Sequence, residues 1–301
     1  GLASAGGEDS PDRAGDGRRG IAEVVALPRA ADHHCCVSAG EERGVPESTA
    51  AAYSVGGVAW ANGPARIYGR LAELLVSASP IPLAGKLVCD AGAGTGVASR
   101  AALAAGADVI ATDLAPGMLR VDRLARPPAA VADATALPFP DDAFDGVVAA
   151  YCYNHLSDPV AGLREAARVT VPGGAVLASS YGEDDTHPVK DASERALRGV
   201  GWFPPPFYEG IKSDAVPKLA TVPRAEAAAR RAGLHDVTVE ALHVPFPELT
   251  IDDLIEWRLG MSHIAWFVAA LAPDARAALV AAIGAQLPDP VPPLVRSVIH
   301  I

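Results

Sequence analysis

The segment Lys86-Leu87-Val88-Cys89-Asp90-Ala91-Gly92-Ala93-Gly94-Thr95-Gly96 constrains the fold more than any other. A short apolar run gives way to three glycines at alternate positions, and Val97 to Ala105 then keeps a helical pattern up to Gly106. That order describes a buried strand, a tight loop and a helix. The theme repeats: Asp108 to Asp113 reads as a strand, Pro116 to Ala125 as a helix, and Ala129 to Asp133, Phe144 to Tyr151 and Ala175 to Tyr181 as three more strands, with a helical Pro159 to Val169 before the last. Alternation of this kind, with strands apolar on both faces, predicts an α/β, doubly wound and mostly parallel sheet. A helix at Pro223 to Ala232, a strand at Val237 to His243, helical stretches at Ile251 to Leu271 and Pro273 to Gln286, and a strand at Leu294 to Ile301 bring the sheet to seven strands. Before it, Tyr53, Trp60, Ile67, Leu71 and Leu74 predict an N-terminal helical region from Pro46 that ends before Pro80. Residues 1–45 lack sustained periodicity and read as a flexible extension to a folded unit spanning 46–301. The stretches near 187–219 and 247–286 fit no sheet position and are expected to be helical cover insertions beyond the strand ends.

The glycine loop lets backbone approach a ligand without a Cβ in the way. A nicotinamide fingerprint reads G-x-G-x-x-G, whereas here Val97 stands where the third glycine would be. Asp90, just before the loop, would repel phosphates but could receive an ammonium group directly or through water. Asp113 follows twenty-three residues later, at a strand end where a carboxylate can accept both hydroxyls of a ribose. Asp133 comes twenty residues further on, where it can accept the exocyclic amine of an adenine. Amine, ribose and adenine without phosphate describe S-adenosylmethionine. The bland readings are turn glycines, helix-capping aspartates and, for Met118, a core position.

The region from Lys86 to Tyr181, about a third of the chain, resembles the class I S-adenosylmethionine-dependent methyltransferases of the ubiquinone/menaquinone and small-molecule subgroup. The motifs GAGTG, DLAPGML, DATALPFPDDAFDGVVA and NHLSDPVAGLREAARVTVPGG carry the resemblance, in the family's order and spacing. It implies a Rossmann-like sheet and an N-terminal helical lid. It also implies that Gly92, Gly94 and Gly96, with the adjoining Asp90 and Ala91, surround the methionine part, that Asp113 holds the ribose, that Leu114 and Met118 flank the adenine, and that Asp133 with Ala134 reads its edge. Tyr151 would face the methyl donor, and Tyr53, on the lid helix, would close over it. The departures are Val169-Thr170-Val171 before Pro-Gly-Gly and Tyr151-Cys152-Tyr153 before Asn154-His155; the second bears on substrate.

The expected activity is methyl transfer from S-adenosylmethionine, giving S-adenosylhomocysteine, to O, N or C of a small apolar or aromatic secondary metabolite. An alternative keeps the cofactor and the fold but catalyses a non-methylating reaction such as a cyclisation. A nicotinamide oxidoreductase is disfavoured by Val97 and Asp90. His155 is the first candidate for a general base, with Tyr181, His187 and His263 behind it. Aromatics concentrated at Trp202 to Tyr208 and Trp257 to Phe267 are expected at the pocket mouth, with a homodimer interface as the alternative use. A net charge of -11 without a basic patch argues against nucleic acid and anionic membranes. Four scattered cysteines, no apolar leader and no bilayer-length apolar run point to a cytoplasmic protein from a bacterial, high-GC source. His33-His34-Cys35-Cys36 lacks the spacing of a metal site, and none is expected.

Overall fold

A computed structural model of the protein describes residues 45–301. The expectation for residues 1–45, and the His33 to Cys36 run within it, therefore lies, but for Val45, outside the described residues. Seven strands form one sheet: β1 (Leu87–Ala91), β2 (Asp108–Asp113), β3 (Ala129–Val131), β4 (Phe144–Ala150), β5 (Thr170–Tyr181), β6 (Glu240–Phe246) and β7 (Leu294–His300), in the order β3-β2-β1-β4-β5-β7-β6. The pairs among β1 to β5 are parallel, whereas β7 runs antiparallel to both β5 and β6. The doubly wound, mostly parallel α/β sheet predicted from the sequence is what the chain builds.

Successive strand residues feed opposite faces, as a period of two requires. On β1, Val88 enters the core shared with helices α2 (Ala65–Ser77) and α3 (Val97–Ala104), while Cys89 enters the core on the other side. That second core is completed by α5 (Pro159–Val169) and α8 (Val222–Arg231). Asp158 fixes the start of α5, its side chain accepting from the N–H groups of Val160 and Ala161.

The N-terminal helical region is two helices, α1 (Thr49–Asn62) and α2, not one. The break falls at Gly63-Pro64, where a Cβ on residue 63 would lie 2.5 Å from the Glu256 carbonyl oxygen. The long helix predicted at Ile251 to Leu271 is likewise split into α9 (Ile251–Leu259) and α10 (Ser262–Val268), with Gly260 against Pro64 and Ala59. The two breaks face each other, so close backbone approach explains both. The helix predicted at Pro116 to Ala125 shortens to α4 (Pro116–Arg120), because Val121 turns extended and Asp122 adopts a positive φ of 50°. β3 stops two residues before Asp133, β5 begins at Thr170 instead of Ala175, and β6 is shifted to Glu240–Phe246.

The segments near 187–219 and 247–286, expected as covers, hold α6 (Pro188–Gly199), α7 (Pro206–Gly210), α9, α10 and α11 (Pro273–Gly284). α1 lies between α4 and α10 and touches both through small residues. Gly56 lies against Ala265, Gly57 against Gly117 and Val121, and Ser54 Oγ accepts from the Gly117 N–H at 3.2 Å. A Cβ on residue 117 would lie 2.1 Å from the Ser54 carbonyl oxygen, which is rigid backbone. Gly117→Ala is therefore expected to push α1 off α4 and lower stability by about 1 to 3 kcal/mol, the usual cost of overpacking. An unchanged thermal midpoint would show that α1 does not pack as described.

Candidate active site

The loops after β1, β2, β3, β4 and β5 converge at the carboxyl ends of the strands, where an open α/β sheet leaves a crevice. α1 closes that crevice into a cavity of about 390 Å³, within the size range of small-ligand sites. One end is polar. Gly92, Gly94 and Gly96 have φ of +73°, +54° and +88°, and a Cβ at 92 would collide with Cys152 Sγ, at 2.4 Å. Asp113 takes the Gly94 N–H on Oδ2 and the Ala115 N–H on Oδ1, both at 2.7 Å. Burial raises its pKa, and each oxygen keeps a lone pair for a ligand. Asp133 binds Thr135 through Oδ1 at 2.8 Å, and its Oδ2 makes no protein hydrogen bond among the described residues. Leu114, half-exposed, and Met118 and Ala134, both buried, line the same cavity wall.

The other end is aromatic: Tyr53 and Trp60 from α1, Tyr68 from α2, Tyr151 after β4 and Tyr181 ending β5. Tyr151 has a φ of +56°, a left-handed conformation that costs a bulky residue of order 1 to 3 kcal/mol. That turn places Cys152 beneath Gly92 and brings His155 to 3.4 Å from the Tyr53 hydroxyl. Burial depresses the His155 pKa to about 4, so the ring is neutral at pH 7. Its Nδ1 has no partner among the described residues.

Thus Tyr53, Gly92, Gly94, Asp113, Leu114, Met118, Asp133, Ala134, Tyr151, His155 and Tyr181 share one cavity. Five sequence candidates do not form its wall. Asp90 lies beneath the loop, 1% exposed, with Oδ2 accepting from Ser99 Oγ at 2.5 Å and Oδ1 unpartnered. Ala91 is buried within β1, and Gly96 sits at the start of α3, turned away from the cavity. His187 caps α6: its Nδ1 accepts from the Val189 N–H and its Nε2 meets the Pro292 carbonyl, so both ring nitrogens are engaged away from the site. His263 is buried behind Tyr208, the rings stacked at 3.6 Å. The aromatics expected at the mouth are elsewhere too: Trp202 and Trp257 are core residues, and Phe203 faces solvent.

Sequence reasoning missed Arg126, which donates to the Gly94 and Met118 carbonyls and ties the glycine loop to α4. It also missed Tyr68 on α2. Neither has a local signature, since Arg126 sits in a polar turn and Tyr68 reads as one more residue of an apolar helical stripe.

Two of the shifted groups at or beside the cavity make a paired prediction. Burial raises the Asp90 pKa to about 6 and depresses that of His155 to about 4. Folded Asp90 binds its proton more tightly than in the unfolded chain, so its contribution to stability falls as pH rises from about 4 to 6. Folded His155 refuses a proton that the unfolded chain accepts, so its contribution falls as pH drops from 6.5 to about 4. Relative to wild type, Asp90→Asn should therefore lose advantage on acidification from pH 7 to 4 and His155→Phe should gain it, each by about 3 kcal/mol. Urea unfolding at both pH values checks this, and parallel curves would refute it.

This sheet order, with β7 reversed and a glycine loop facing two carboxylates, is the Rossmann-like α/β arrangement that the resemblance implied. Residues 89–178 match the protein family described as Methyltransferase domain, which bears out the resemblance read from the motifs. A demethylmenaquinone methyltransferase of Renibacterium salmoninarum is 39% identical over 121 residues, which is 40% of this chain and 49% of that protein. A malonyl-[acyl-carrier protein] O-methyltransferase of Halorhodospira halophila is 41% identical over 127 residues, 40% of this chain and 43% of its own length. The chain thus spans about half the length of the curated relatives it matches. Among solved structures, a candidate methyltransferase from an antibiotic biosynthesis pathway of Anabaena variabilis superposes with a TM-score of 0.51 at 18% identity, covering 77% of this chain and 96% of its own. That likeness shows the fold. Among the described residues no helix is long and apolar enough to cross a membrane.

Proposed function

We propose that the protein transfers a methyl group from S-adenosylmethionine to a small apolar or aromatic acceptor. One observation carries the cofactor assignment: the cavity wall holds a glycine loop and two carboxylates and, among the described residues, no lysine or arginine. A dinucleotide with its pyrophosphate would meet negative charge there, whereas a phosphate-free adenosine with an attached amino acid meets acceptors for its hydroxyls and amine. Asp113 would take the ribose hydroxyls, Leu114 and Met118 the adenine faces, and Asp133 Oδ2 the adenine amine.

Bound S-adenosylmethionine supplies an already activated methyl group. The protein's share is then alignment and the exclusion of water, and positioning of this kind is worth roughly 7 to 11 kcal/mol of barrier. The tyrosines and Trp60 form the dry end in which an apolar acceptor would be held. His155 can take a proton at neutral pH, but a base with a pKa of about 4 pulls weakly, so the site suits an acceptor that needs little help to ionise. The two relatives named above are a demethylmenaquinone methyltransferase and a malonyl-[acyl-carrier protein] O-methyltransferase.

Calorimetric titration with S-adenosylmethionine, S-adenosylhomocysteine and NADH tests the reading. Micromolar binding of the first two and none of the third is expected. Tighter binding of NADH, or silence from all three, rejects it.

A further inference from the structure

At the aromatic end of the cavity, opposite the carboxylates, the hydroxyls of Tyr68 and Tyr181 lie 2.8 Å apart. Two phenols joined by one hydrogen bond use one proton between them. The second proton has no acceptor among the described residues, and both residues face the cavity. Behind them is Arg296 from β7, only 1% exposed, with its guanidinium carbon 5.5 Å from the Tyr68 ring and 5.2 Å from that of Tyr181. Its Nε and Nη2 are held by the two oxygens of Asp185, at 2.8 and 2.9 Å, and its Nη1 has no partner. Asp185 also binds Lys190, so one carboxylate serves two cations and the buried cluster keeps a surplus positive charge. The remaining titratable groups packed around the pair are Tyr53 and Tyr151, both neutral because burial raises their pKa values.

We propose that the Tyr68–Tyr181 hydroxyl pair, backed by Arg296, is the subsite that holds an oxyanion of the acceptor, and that the acceptor class is a phenolate or enolate and not an amine. The proposal rests on the methyltransferase reading, since it names what that cavity methylates. A free O–H is a donor awaiting an acceptor, and a donor facing a developing or existing oxyanion in a site without water is worth more than in solution. The guanidinium lies over the faces of both tyrosine rings, which removes the attraction those faces would offer an ammonium group. An amine acceptor would become more positive on methylation, next to a buried cation that is not fully neutralised. For a phenolate the balance is simple: an oxygen lone pair forms the new O–C bond, the C–S bond breaks with its electron pair going to sulfur, and sulfonium and oxyanion are both discharged. No proton moves in that step, which agrees with a cavity whose one histidine is a weak base.

The probes are 4-nitrophenol, whose phenolate absorbs visibly, and benzylamine as its cationic counterpart. Wild-type protein saturated with S-adenosylhomocysteine is expected to bind nitrophenolate about tenfold more tightly than the neutral phenol, seen as growth of the phenolate band at fixed pH, and to bind benzylammonium at least tenfold more weakly. Tyr181→Phe and Tyr68→Phe should each erase the phenolate preference while leaving affinity for S-adenosylhomocysteine unchanged. Should Tyr68→Phe fail to fold, Tyr181→Phe still decides, because that ring is only partly buried. Neutral binding of the probe, equal binding of benzylammonium, retention of the preference in the folded variants, or no binding at millimolar concentration overturns the proposal. Phenolate binding without binding of S-adenosylhomocysteine would sink the cofactor assignment and leave this subsite standing.

Discussion

Replacing Asp113 by alanine is expected to reduce affinity for S-adenosylhomocysteine at least about a hundredfold. From the sequence alone the loss would be about 1 to 3 kcal/mol, for the hydroxyl contacts a strand-end carboxylate makes. The structure raises that figure, because the same carboxylate takes the N–H groups of Gly94 and Ala115. Alanine removes the ligand's acceptor and the two bonds that set the shape of the glycine loop and the start of α4. Hydrogen bonds to a charged group contribute about 1.5 to 3 kcal/mol each, and every 1.4 kcal/mol is about a factor of ten. Asp113→Asn, which keeps one acceptor oxygen, should fall between the two. Calorimetry with the purified variants checks both, and wild-type affinity in Asp113→Ala would place the ribose elsewhere.

A second large effect is expected at Arg296. The pair with Asp185 is bidentate and buried, with side chains 1% and 7% exposed. Burial works to raise the Asp185 pKa, but Arg296 and Lys190 outweigh it and hold the carboxyl at about 2. Removing one member of such a buried pair costs about 3 to 5 kcal/mol: without Arg296 the carboxylate keeps only Lys190 and loses two buried hydrogen bonds, and without Asp185 two cations lose their shared anion. Arg296→Met should therefore lower unfolding free energy by about that much, with a further loss of the packing under Tyr68, Tyr181 and Trp257. Asp185→Asn should be comparable, and the double variant should lose less than the sum of the two. Additive losses in urea unfolding would mean that the ion pair is not coupled in solution.

These two residues show where sequence reading succeeds and where it stops. The polar end of the cavity was legible because its parts are local. Gly92, Gly94, Asp113 and Asp133 each lie at or within a few residues of a strand end, and the turn chemistry there is written in a few adjacent residues. The strand Asp108–Asp113 and the helix Pro159–Val169 come out residue for residue, since caps and apolar runs set their ends. The aromatic end was legible only in part. Tyr53 and Tyr151 followed from the resemblance and Tyr181 was a candidate base, but Tyr68 and Arg296 meet them from separate segments in which each looks ordinary. On β7, Arg296 reads as a solvent-facing residue of a strand, and its partner Asp185 lies 111 positions away. The helix breaks at Gly63 and Gly260 were missed for the same reason. Either glycine inside a helical pattern is tolerated, and only the approach of the opposite backbone makes it obligatory.

The position of β7 between β5 and β6 also sets an order of assembly. β6 precedes β7 in the chain but pairs only with it, so β6 has no place in the sheet until residues 294–300 are in position. The parallel strands β1 to β5 need nothing from that β6–β7 pair, and neither does the glycine loop with its acids. A chain still being synthesised can thus complete the polar end of the cavity while Tyr181 stands on a bare sheet edge, without the arginine that backs it. Closure of the aromatic end waits for β7 to pair with β5 across a long stretch of chain, and entropic cost grows with such separation. Pulse-labelled hydrogen exchange during refolding would then show protection of β1 and β4 before that of β6, and the chamber for the acceptor would be the last part of the molecule to exist.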